Sequence, residues 1–336
     1  MTDTATLSPD SIFDALFAYQ QTAALKAAID LDLFTAIDQG ATDADALASR
    51  TGASKRGIRI LCDYLTTLNM LSKQDGRYGL SPNAAAFLSK TSKMYMGTTA
   101  QFLTLPELKR NFDDLTGAVR RGGVLPAGNT VSDENPVWVE FARAMVPMAM
   151  ANALAMADLI ALPSHGVPRV LDIAAGHGMY GIVLAQRNPA VRVTAVDWAS
   201  VLAVATEHAK RAGVDSRYET RPGDAFTTSL GDGYDLALIT NFLHHFNREQ
   251  NIAFLRKIAA AVKPSGQVAL VEFVPNPDRV TPPTAARFSL TMLAGTPEGD
   301  AYTLAELTDM LAAAGFTRVQ SHSLPTPQTL LTAVRS

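Results

Sequence analysis

The spacing of apolar residues divides the chain into two parts. Over most of the first 162 residues, apolar side chains recur every three or four positions, which predicts α-helices. Beyond that point, predicted strands alternate with helical segments, and these strand runs fall at 169–174, 191–196, 216–221, 234–240, 267–273, 316–324 and 329–334. This alternation predicts an α/β domain with a mostly parallel seven-stranded sheet covered by helices on both faces. The short Pro-containing turn before the last run predicts that the last strand is antiparallel.

The first 95 residues show the order helix, helix, hairpin. Segments 43–51 and 54–71 predict a helix–turn–helix in which Ser54 caps the second helix, and Asp75-Gly76 then predicts a hairpin turn. This order is typical of a winged helix. Between positions 43 and 64 there are four basic and three acidic residues, whereas a helix that reads DNA carries a concentrated basic face. The pattern therefore favours packing or dimerisation over DNA contact.

These patterns divide the chain into three segments. They are a winged-helix domain at 1–95, a helical linker at 96–162 and an α/β domain at 163–336. The linker contains an apolar, Met-rich stretch at 138–162. Such a stretch is typical of helix–helix packing, and a pliable lining for a substrate pocket is the alternative.

Composition narrows the class of protein. The chain has 336 residues, of which 47% are apolar, and its net charge of −3 gives no electrostatic sign of a nucleic-acid or membrane partner. Cys62 is the only cysteine, so no intrachain disulfide can form. Asp3 and Asp10 argue against a secretory signal, and no apolar run reaches the roughly 20 residues of a membrane-spanning helix. We expect a cytoplasmic protein that binds neither membrane nor nucleic acid.

A glycine turn follows the first strand of the predicted sheet. Gly176 and Gly178 lie where a strand enters a helix, and glycine there lets a ligand approach the backbone. A nicotinamide cofactor has to be considered for such a turn. The spacing is not G-x-G-x-x-G, because position 174 is Ala, and Asp172 inside the strand is placed to meet the ammonium group of a ligand. These features argue against a dinucleotide.

Acidic residues stand at the ends of the next two strands. Asp197 can accept both hydroxyls of a ribose, and Trp198 can pack on an adenine. Asp224, in Gly223-Asp-Ala-Phe226, can accept from the adenine amino group, with Phe226 against the ring. Taken alone, each carboxylate is equally compatible with a solvated strand end. Three of them at successive strand ends favour S-adenosylmethionine, with a predicted site at Asp172, Ala174, Gly176, Gly178, Asp197, Trp198, Gly223, Asp224, Ala225, Phe226, Thr240 and Asn241.

Five motifs carry a resemblance to a known family. They are 172–178, Val196-Asp-Trp198, Gly223-Asp-Ala-Phe226, Leu243-His-His-Phe246 and Val271-Glu-Phe-Val-Pro275. With them, nearly the whole chain resembles the small-molecule O-methyltransferases of the plant caffeate and flavonoid type and their bacterial relatives. The resemblance implies a Rossmann-like class I methyltransferase domain preceded by a winged-helix domain. It also implies a homodimer in which the N-terminal domain lends residues to the partner's substrate pocket.

The same resemblance implies the catalytic residues. It assigns the general base to His244 and a helper carboxylate to Glu272, while the position of the family's second helper Glu matches Ala301. Either His244 is supported by the Glu272 carboxylate alone, or Asp300 takes the place of the second helper Glu. His245 stands where Asp or Asn is usual and Thr240 where Lys is usual, which points to a bacterial branch and leaves the acceptor open.

Three functions are compatible with these residues. The leading hypothesis is O-methylation of a phenolic or enolic hydroxyl on a small aromatic molecule by a homodimer, with no metal. In this hypothesis, His244 acts either as the general base or only as a cap of the cofactor pocket. The alternatives are hydroxylation or decarboxylation of a polyketide-like substrate, and a ligand-sensing regulator that uses its winged helix. The predicted substrate lining is Phe141, Met145, Met148, His245, Phe288 and Met292.

Overall fold

The computed structural model describes residues 8–125 and 135–336. The chain forms two compact units, residues 1–104 and 105–336. The boundaries predicted at residues 95 and 162 therefore do not coincide with the boundary between the units, and most of the predicted linker belongs to the second one. Asp3, used in the prediction about the N-terminus, lies outside the described residues.

The first unit is helical with one hairpin. Its elements are α1 (Asp10–Asp30), α2 (Leu33–Asp38), α3 (Ala44–Thr51), α4 (Lys55–Thr67), β1 (Leu71–Gln74), β2 (Arg77–Leu80), α5 (Pro82–Leu88) and α6 (Thr99–Leu103). Leu33, Leu47 and Leu65 are fully buried in its core together with Cys62. Burial raises the pKa of the Cys62 thiol to about 12, so this cysteine is a packing residue.

The local sequence explains where these elements begin and turn. Ser54 caps α4 by accepting from the Gly57 amide at 3.1 Å. Asp75 and Gly76, both with positive φ, connect β1 to β2, which pair as an antiparallel hairpin. The predicted order of helix–turn–helix and hairpin is therefore present.

The second unit is the α/β domain with its preceding helices. Its elements are α7 (Pro106–Arg110), α8 (Leu115–Arg121), α9 (Val137–Ala144), α10 (Val146–Leu159), β3 (Arg169–Ile173), α11 (Met179–Arg187), β4 (Arg192–Asp197), α12 (Ala199–Arg211), β5 (Tyr218–Pro222), β6 (Tyr234–Thr240), α13 (Arg248–Ala261), β7 (Val262–Glu272), α14 (Pro283–Gly295), α15 (Leu304–Ala313), β8 (Phe316–Ser323) and β9 (Thr329–Arg335).

Seven strands form one sheet in the order β5-β4-β3-β6-β7-β9-β8. The first five are parallel, and β9 runs antiparallel to both of its neighbours. The predicted α/β fold with an antiparallel last strand is confirmed. The chain adds strands on one side of β3 and then, from β6 onward, on the other. Ligands of open α/β sheets bind at the carboxyl ends of the strands where the order reverses in this way, here beside β3 and β6.

Apolar clusters cover both faces of this sheet. One contains Val170, Tyr180 and Val193, and the other contains Leu171, Ile239 and other buried side chains. Within residues 8–125 and 135–336, no helix combines the length and the apolar character needed to cross a membrane.

Candidate active site

The predicted cofactor residues gather at one edge of the sheet. Asp172 lies in β3, which leads into the glycine turn, and Asp197 ends β4. The segment 223–226 follows β5, and Thr240 ends β6 with Asn241 directly after it. Because these four strands are parallel neighbours, their carboxyl ends lie side by side. This is the edge at which such folds bind a ligand.

The glycine turn has left-handed backbone at three positions. Ala174, Gly176 and Gly178 have φ of 49°, 57° and 75°. A Cβ on Gly178 would lie 2.5 Å from the hydroxyl of Tyr218, so glycine there is required by packing inside the domain as well as by φ. Close approach of a ligand, the reason predicted from the sequence, is therefore not the only reason for glycine at position 178.

Asp197 holds this turn in place. One carboxylate oxygen accepts from the Gly176 amide at 2.8 Å and the other accepts from the Trp198 amide at 2.7 Å. Burial raises the pKa of Asp197 to about 6. Trp198 is half-buried against the Ala142, Val201 and Val204 cluster between α9 and α12. The carboxylate thus has a structural partner in addition to the ribose contact predicted for it.

Asp172 is buried beneath the turn. Its Oδ2 accepts from the Gly181 amide at 3.2 Å, and its Oδ1 has no hydrogen-bond partner among the described residues. Burial raises the pKa of Asp172 to about 8. A buried carboxylate oxygen without a donor is costly, and a cationic ligand such as a sulfonium amino acid would relieve that cost. The residues present therefore fit S-adenosylmethionine.

The loop after β5 is closed on itself. Asp224 Oδ1 accepts from the amides of Phe226 and Thr227, at 2.5 and 3.1 Å. Phe226 packs in an aromatic cluster, with ring centroids 4.7 Å from Phe246 and 5.1 Å from Phe254. A further residue that the sequence analysis did not identify is Lys257 in α13, whose ammonium contacts three carbonyls of this loop.

The predicted catalytic pair lies after β6 and at the end of β7. His244 occupies a single 3₁₀ turn, Leu243–His245, and its Nδ1 lies 2.5 Å from Oε2 of Glu272. Glu272 Oε1 accepts from the amides of Phe242 and Leu243 at 3.0 and 2.9 Å. Both side chains are about 95% buried, with 5% and 4% of their surface exposed. Because the carboxylate accepts, Nδ1 carries the proton and Nε2 of a neutral ring has the free lone pair.

Asp300 does not reach this pair. Its Oδ2 accepts from Arg279 at 3.1 Å and its Oδ1 accepts from the Ala301 amide at 2.8 Å. Ala301 itself is fully buried and has no polar side chain. Among the described residues, Glu272 is the carboxylate that His244 contacts, so the imidazole is supported from one side.

Aromatic rings surround the catalytic pair. Phe288 of α14 meets His244 edge-on with centroids 4.6 Å apart, and Phe273 stacks on Phe288 at 4.2 Å. His245 lies edge-on to Trp138 of α9 at 5.4 Å. Burial and the neighbouring His244 hold the pKa of His245 well below its usual range, so its ring is neutral.

The remaining predicted substrate residues come from α9, α10 and α14. Phe141 stacks on His177 with centroids 5.9 Å apart, so it covers the glycine turn. Met145 and Met148 lie at the junction of α9 and α10, and Met292 lies one helical turn beyond Phe288 in α14. Of the six predicted residues, Phe288 and His245 have ring contacts with His244.

A buried amide network was also missed. Asn152 of α10 donates to Thr326 at 2.6 Å and to Gln328 at 2.7 Å, and Gln328 donates in turn to Asn241. The network joins α10 and the β8–β9 turn to the end of β6. Its members lie up to 176 positions apart, so no local pattern reveals them. Among the described residues, no three His, Cys, Asp or Glu side chains are grouped as metal ligands require.

Comparison with known proteins agrees with this geometry. Residues 122–317 match the family model of the O-methyltransferase domain, and residues 13–90 match that of the O-methyltransferase dimerisation domain. The chain belongs to the O-methyltransferase family. The family assignment makes it an S-adenosylmethionine-dependent enzyme, as predicted, and the resemblance described above is confirmed.

The O-methyltransferase has relatives along its full length. It is 30% identical to 3-hydroxy-5-methyl-1-naphthoate 3-O-methyltransferase of Streptomyces sahachiroi, over 95% of this chain and 92% of that one. A candidate O-methyltransferase from Nostoc punctiforme, of known crystal structure, is 47% identical, with a TM-score of 0.93 over 98% of this chain and 100% of that one. Human N-acetylserotonin methyltransferase in complex with SAM shares the fold, at 21% identity and a TM-score of 0.84, over 100% of both chains.

Proposed function

We propose that this O-methyltransferase methylates a phenolic or enolic hydroxyl of a flat aromatic molecule, with His244 as the general base. The observation that carries the proposal is the buried contact between His244 and Glu272 beside the Phe288 ring. Relatives named for a hydroxynaphthoate and for tetracenomycin polyketide synthesis support an aromatic acceptor.

The cofactor side of the site uses residues of three strand ends. Asp172, Asp197, the turn at Gly176 and the loop carrying Asp224 would hold S-adenosylmethionine, which supplies an electrophilic methyl group when bound. Phe141 of α9 covers the turn by stacking on His177, which belongs to the turn itself. Stacked rings over the turn exclude water, which strengthens the electrostatic interactions of the carboxylates beneath.

The acceptor side requires a proton to leave the hydroxyl. Nε2 of His244 takes this proton, because Nδ1 is committed to Glu272. Glu272 holds the ring in this tautomer and stabilises the imidazolium that forms, as a buried carboxylate does in other acid–base sites. General-base catalysis of this kind contributes about 10²–10⁴-fold in rate.

The experiment compares His244→Ala with the wild type in transfer of a labelled methyl group from S-adenosylmethionine. The acceptors are hydroxynaphthoic acids, catechols and hydroxyquinones, and the products are identified as methyl ethers by mass spectrometry and NMR. We expect the variant to lose about 10²-fold or more while its affinity for the cofactor stays within a few-fold by calorimetry. His165→Ala, at an exposed histidine, is the matched control. A variant with the wild-type rate would show that His244 only lines the pocket.

We also propose that the enzyme is a homodimer through its N-terminal unit. Helix α1 exposes a stripe of apolar residues, Ile12, Phe13, Leu16, Phe17 and Tyr19, each at least 49% exposed. A stripe of this kind on a monomer marks an interface. On and near α4, Lys55 pairs with Asp45 at 2.7 Å and Arg59 with Asp63 at 3.0 Å. These pairs offset the charge of two of the four basic residues between positions 43 and 64, which weakens the basic face that contact with DNA would need.

A further inference from the structure

Lys257 makes a contact that the mechanism has not used. Its Nζ lies 2.9 Å from the carbonyl oxygen of Ala225, 2.7 Å from that of Phe226 and 2.7 Å from that of Thr228. An ammonium group has three protons, so these three carbonyls satisfy it completely. The lysine is half-buried on α13, whose Phe254, Leu255 and Ile258 are anchored in the core. The charge is therefore presented from a rigid element.

Apart from Lys257, the loop is held by the packing of Phe226 against Phe246 and Phe254 and by hydrogen bonds within the loop itself. Asp224 accepts from the amides of Phe226 and Thr227, and the Thr228 amide donates to the Asp224 carbonyl at 2.9 Å. The loop amides thus point to Asp224, while the loop carbonyls converge on one point. Converging carbonyl dipoles repel each other unless a cation lies between them. Without Lys257 this loop conformation loses the charge that compensates its carbonyls.

We propose that Lys257 is a positioning residue for the adenine end of the methyl-donor site. By fixing the carbonyls of residues 225, 226 and 228, it sets the backbone that carries Asp224 toward the adenine. The inference rests on the proposed role of Asp224, and it extends the site to a helix that supplies no residue to the predicted set. Burial lowers the pKa of Lys257 and the nearby Asp224 opposes that effect, which agrees with a charge enclosed by the loop.

The test is calorimetric binding to Lys257→Met, which keeps the length of the side chain and removes its donors. The probes are S-adenosylmethionine and 5′-methylthioadenosine, which lacks the amino-acid end. We expect both to bind about 10-fold or more weakly, while kcat at saturating cofactor changes by less than about threefold, since the loop does not touch the reacting hydroxyl. Lys257→Arg should recover part of the affinity, because it restores a cation. Lys263→Met is the matched control, since Lys263 pairs with Asp235 at 2.6 Å on the surface.

A double-mutant cycle with Asp224→Ala tests the role of Lys257 separately from the proposed adenine contact of Asp224. If Lys257 acts through the loop, Lys257→Met should weaken binding by less than about twofold in the Asp224→Ala background. Equal losses in both backgrounds would overturn the proposal, as would wild-type affinity of Lys257→Met for both probes. If Asp224→Ala itself binds both probes normally, the adenine assignment of this loop fails, and the inference with it. None of these binding results tests the role of His244, because cofactor binding does not require the general base. Circular dichroism of each variant, matching the wild type, excludes global unfolding as the cause.

Discussion

Glu272 divides its carboxylate between His244 and the backbone that carries this histidine. One oxygen accepts from the ring Nδ1 at 2.5 Å, and the other accepts from the amides of Phe242 and Leu243 at 3.0 and 2.9 Å. The same side chain therefore fixes both the tautomer of the ring and the turn on which the ring stands. Since Ala301 has no helper carboxylate to offer, the orientation of His244 depends on Glu272.

Glu272→Gln should remove the contribution of His244, as general base, to the rate of methyl transfer. If the amide oxygen stays on the two backbone amides, the NH₂ group faces Nδ1, which must then accept and leave the proton on Nε2. We expect methyl transfer to fall by about 10²–10⁴-fold, with cofactor affinity unchanged by calorimetry. Glu207→Gln, at an exposed glutamate that pairs with Arg211 at 3.5 Å, controls for the loss of a charge. Wild-type turnover by Glu272→Gln would contradict this mechanism.

Asp300→Ala should leave the rate of methyl transfer within about twofold of the wild type. Asp300 pairs with Arg279 on the surface, and both side chains are more than 40% exposed, so its removal costs about 1 kcal/mol or less in the free energy of unfolding. Steady-state kinetics and urea unfolding measure the two effects. A loss of a hundredfold in kcat would mean that Asp300 does support the base after all.

Asn152→Ala should lower the free energy of unfolding by about 2–4 kcal/mol. The side chain is fully buried, and its loss leaves the Gln328 amide and the Thr326 backbone without their partner, at about 1–3 kcal/mol for each buried polar group. Urea unfolding monitored by circular dichroism measures the change. Asn276→Ala, at an exposed asparagine that donates to Thr281 at 2.8 Å, should cost within about 0.5 kcal/mol. Equal effects at the two positions would refute a structural role of the network.

The fold and the edge that holds the site could be predicted because their signals are local. Most strands of the second unit are short apolar runs, and a polar residue of the site ends some of them, as Asp197 does in β4. The family resemblance implied the roles of His244 and Glu272, and the parallel pairing of β6 with β7 explains why they lie side by side. Periodicity and strand order were sufficient for the framework of the site, and the catalytic pair came from the resemblance.

The contacts that tune the site could not be predicted, because their partners are distant in sequence or belong to the backbone. Lys257 binds carbonyls 29 to 32 positions earlier, and any loop sequence offers carbonyls. The need for glycine at Gly178 depends on the hydroxyl of Tyr218, which only the folded packing brings close. Asp224 was expected to face a ligand, yet one of its oxygens is taken by its own loop. These are tertiary effects that a one-dimensional pattern does not encode.

Leu16→Glu should convert a dimer to a monomer. Leu16 is 63% exposed in the α1 stripe, next to the stacked rings of Phe13 and Phe17. A charge buried in an apolar interface without a partner costs several kcal/mol. Light scattering coupled to size-exclusion chromatography should show the mass of one chain for Leu16→Glu and of two for the wild type. Gln21→Glu, which adds the same charge at an exposed polar position of α1, should remain dimeric. A monomeric wild type would exclude the proposed interface.

Asp172→Asn should stabilise the ligand-free protein and weaken its binding of S-adenosylmethionine. Burial raises the pKa of Asp172 from 3.8 to about 8, so the folded protein keeps a proton that the unfolded chain releases between these values. The contribution of Asp172 to the free energy of unfolding is therefore fully present below pH 3.8 and is lost as the pH rises toward 8. Asparagine does not titrate, so Asp172→Asn does not lose this part of the free energy of unfolding as the pH rises.

The two effects can be measured on the same variant. At pH 8 we expect the Tm of ligand-free Asp172→Asn to exceed that of the wild type by about 2 °C or more, and the difference to shrink as the pH falls toward 4. Calorimetry at pH 8 should show weaker binding of S-adenosylmethionine, because the unpartnered carboxylate oxygen is no longer available to its cationic groups. Asp158→Asn, at an exposed carboxylate that pairs with Arg187 at 3.1 Å, should change neither quantity appreciably. A lower Tm with unchanged affinity would mean that Asp172 serves the fold alone, through its 3.2 Å contact with the Gly181 amide.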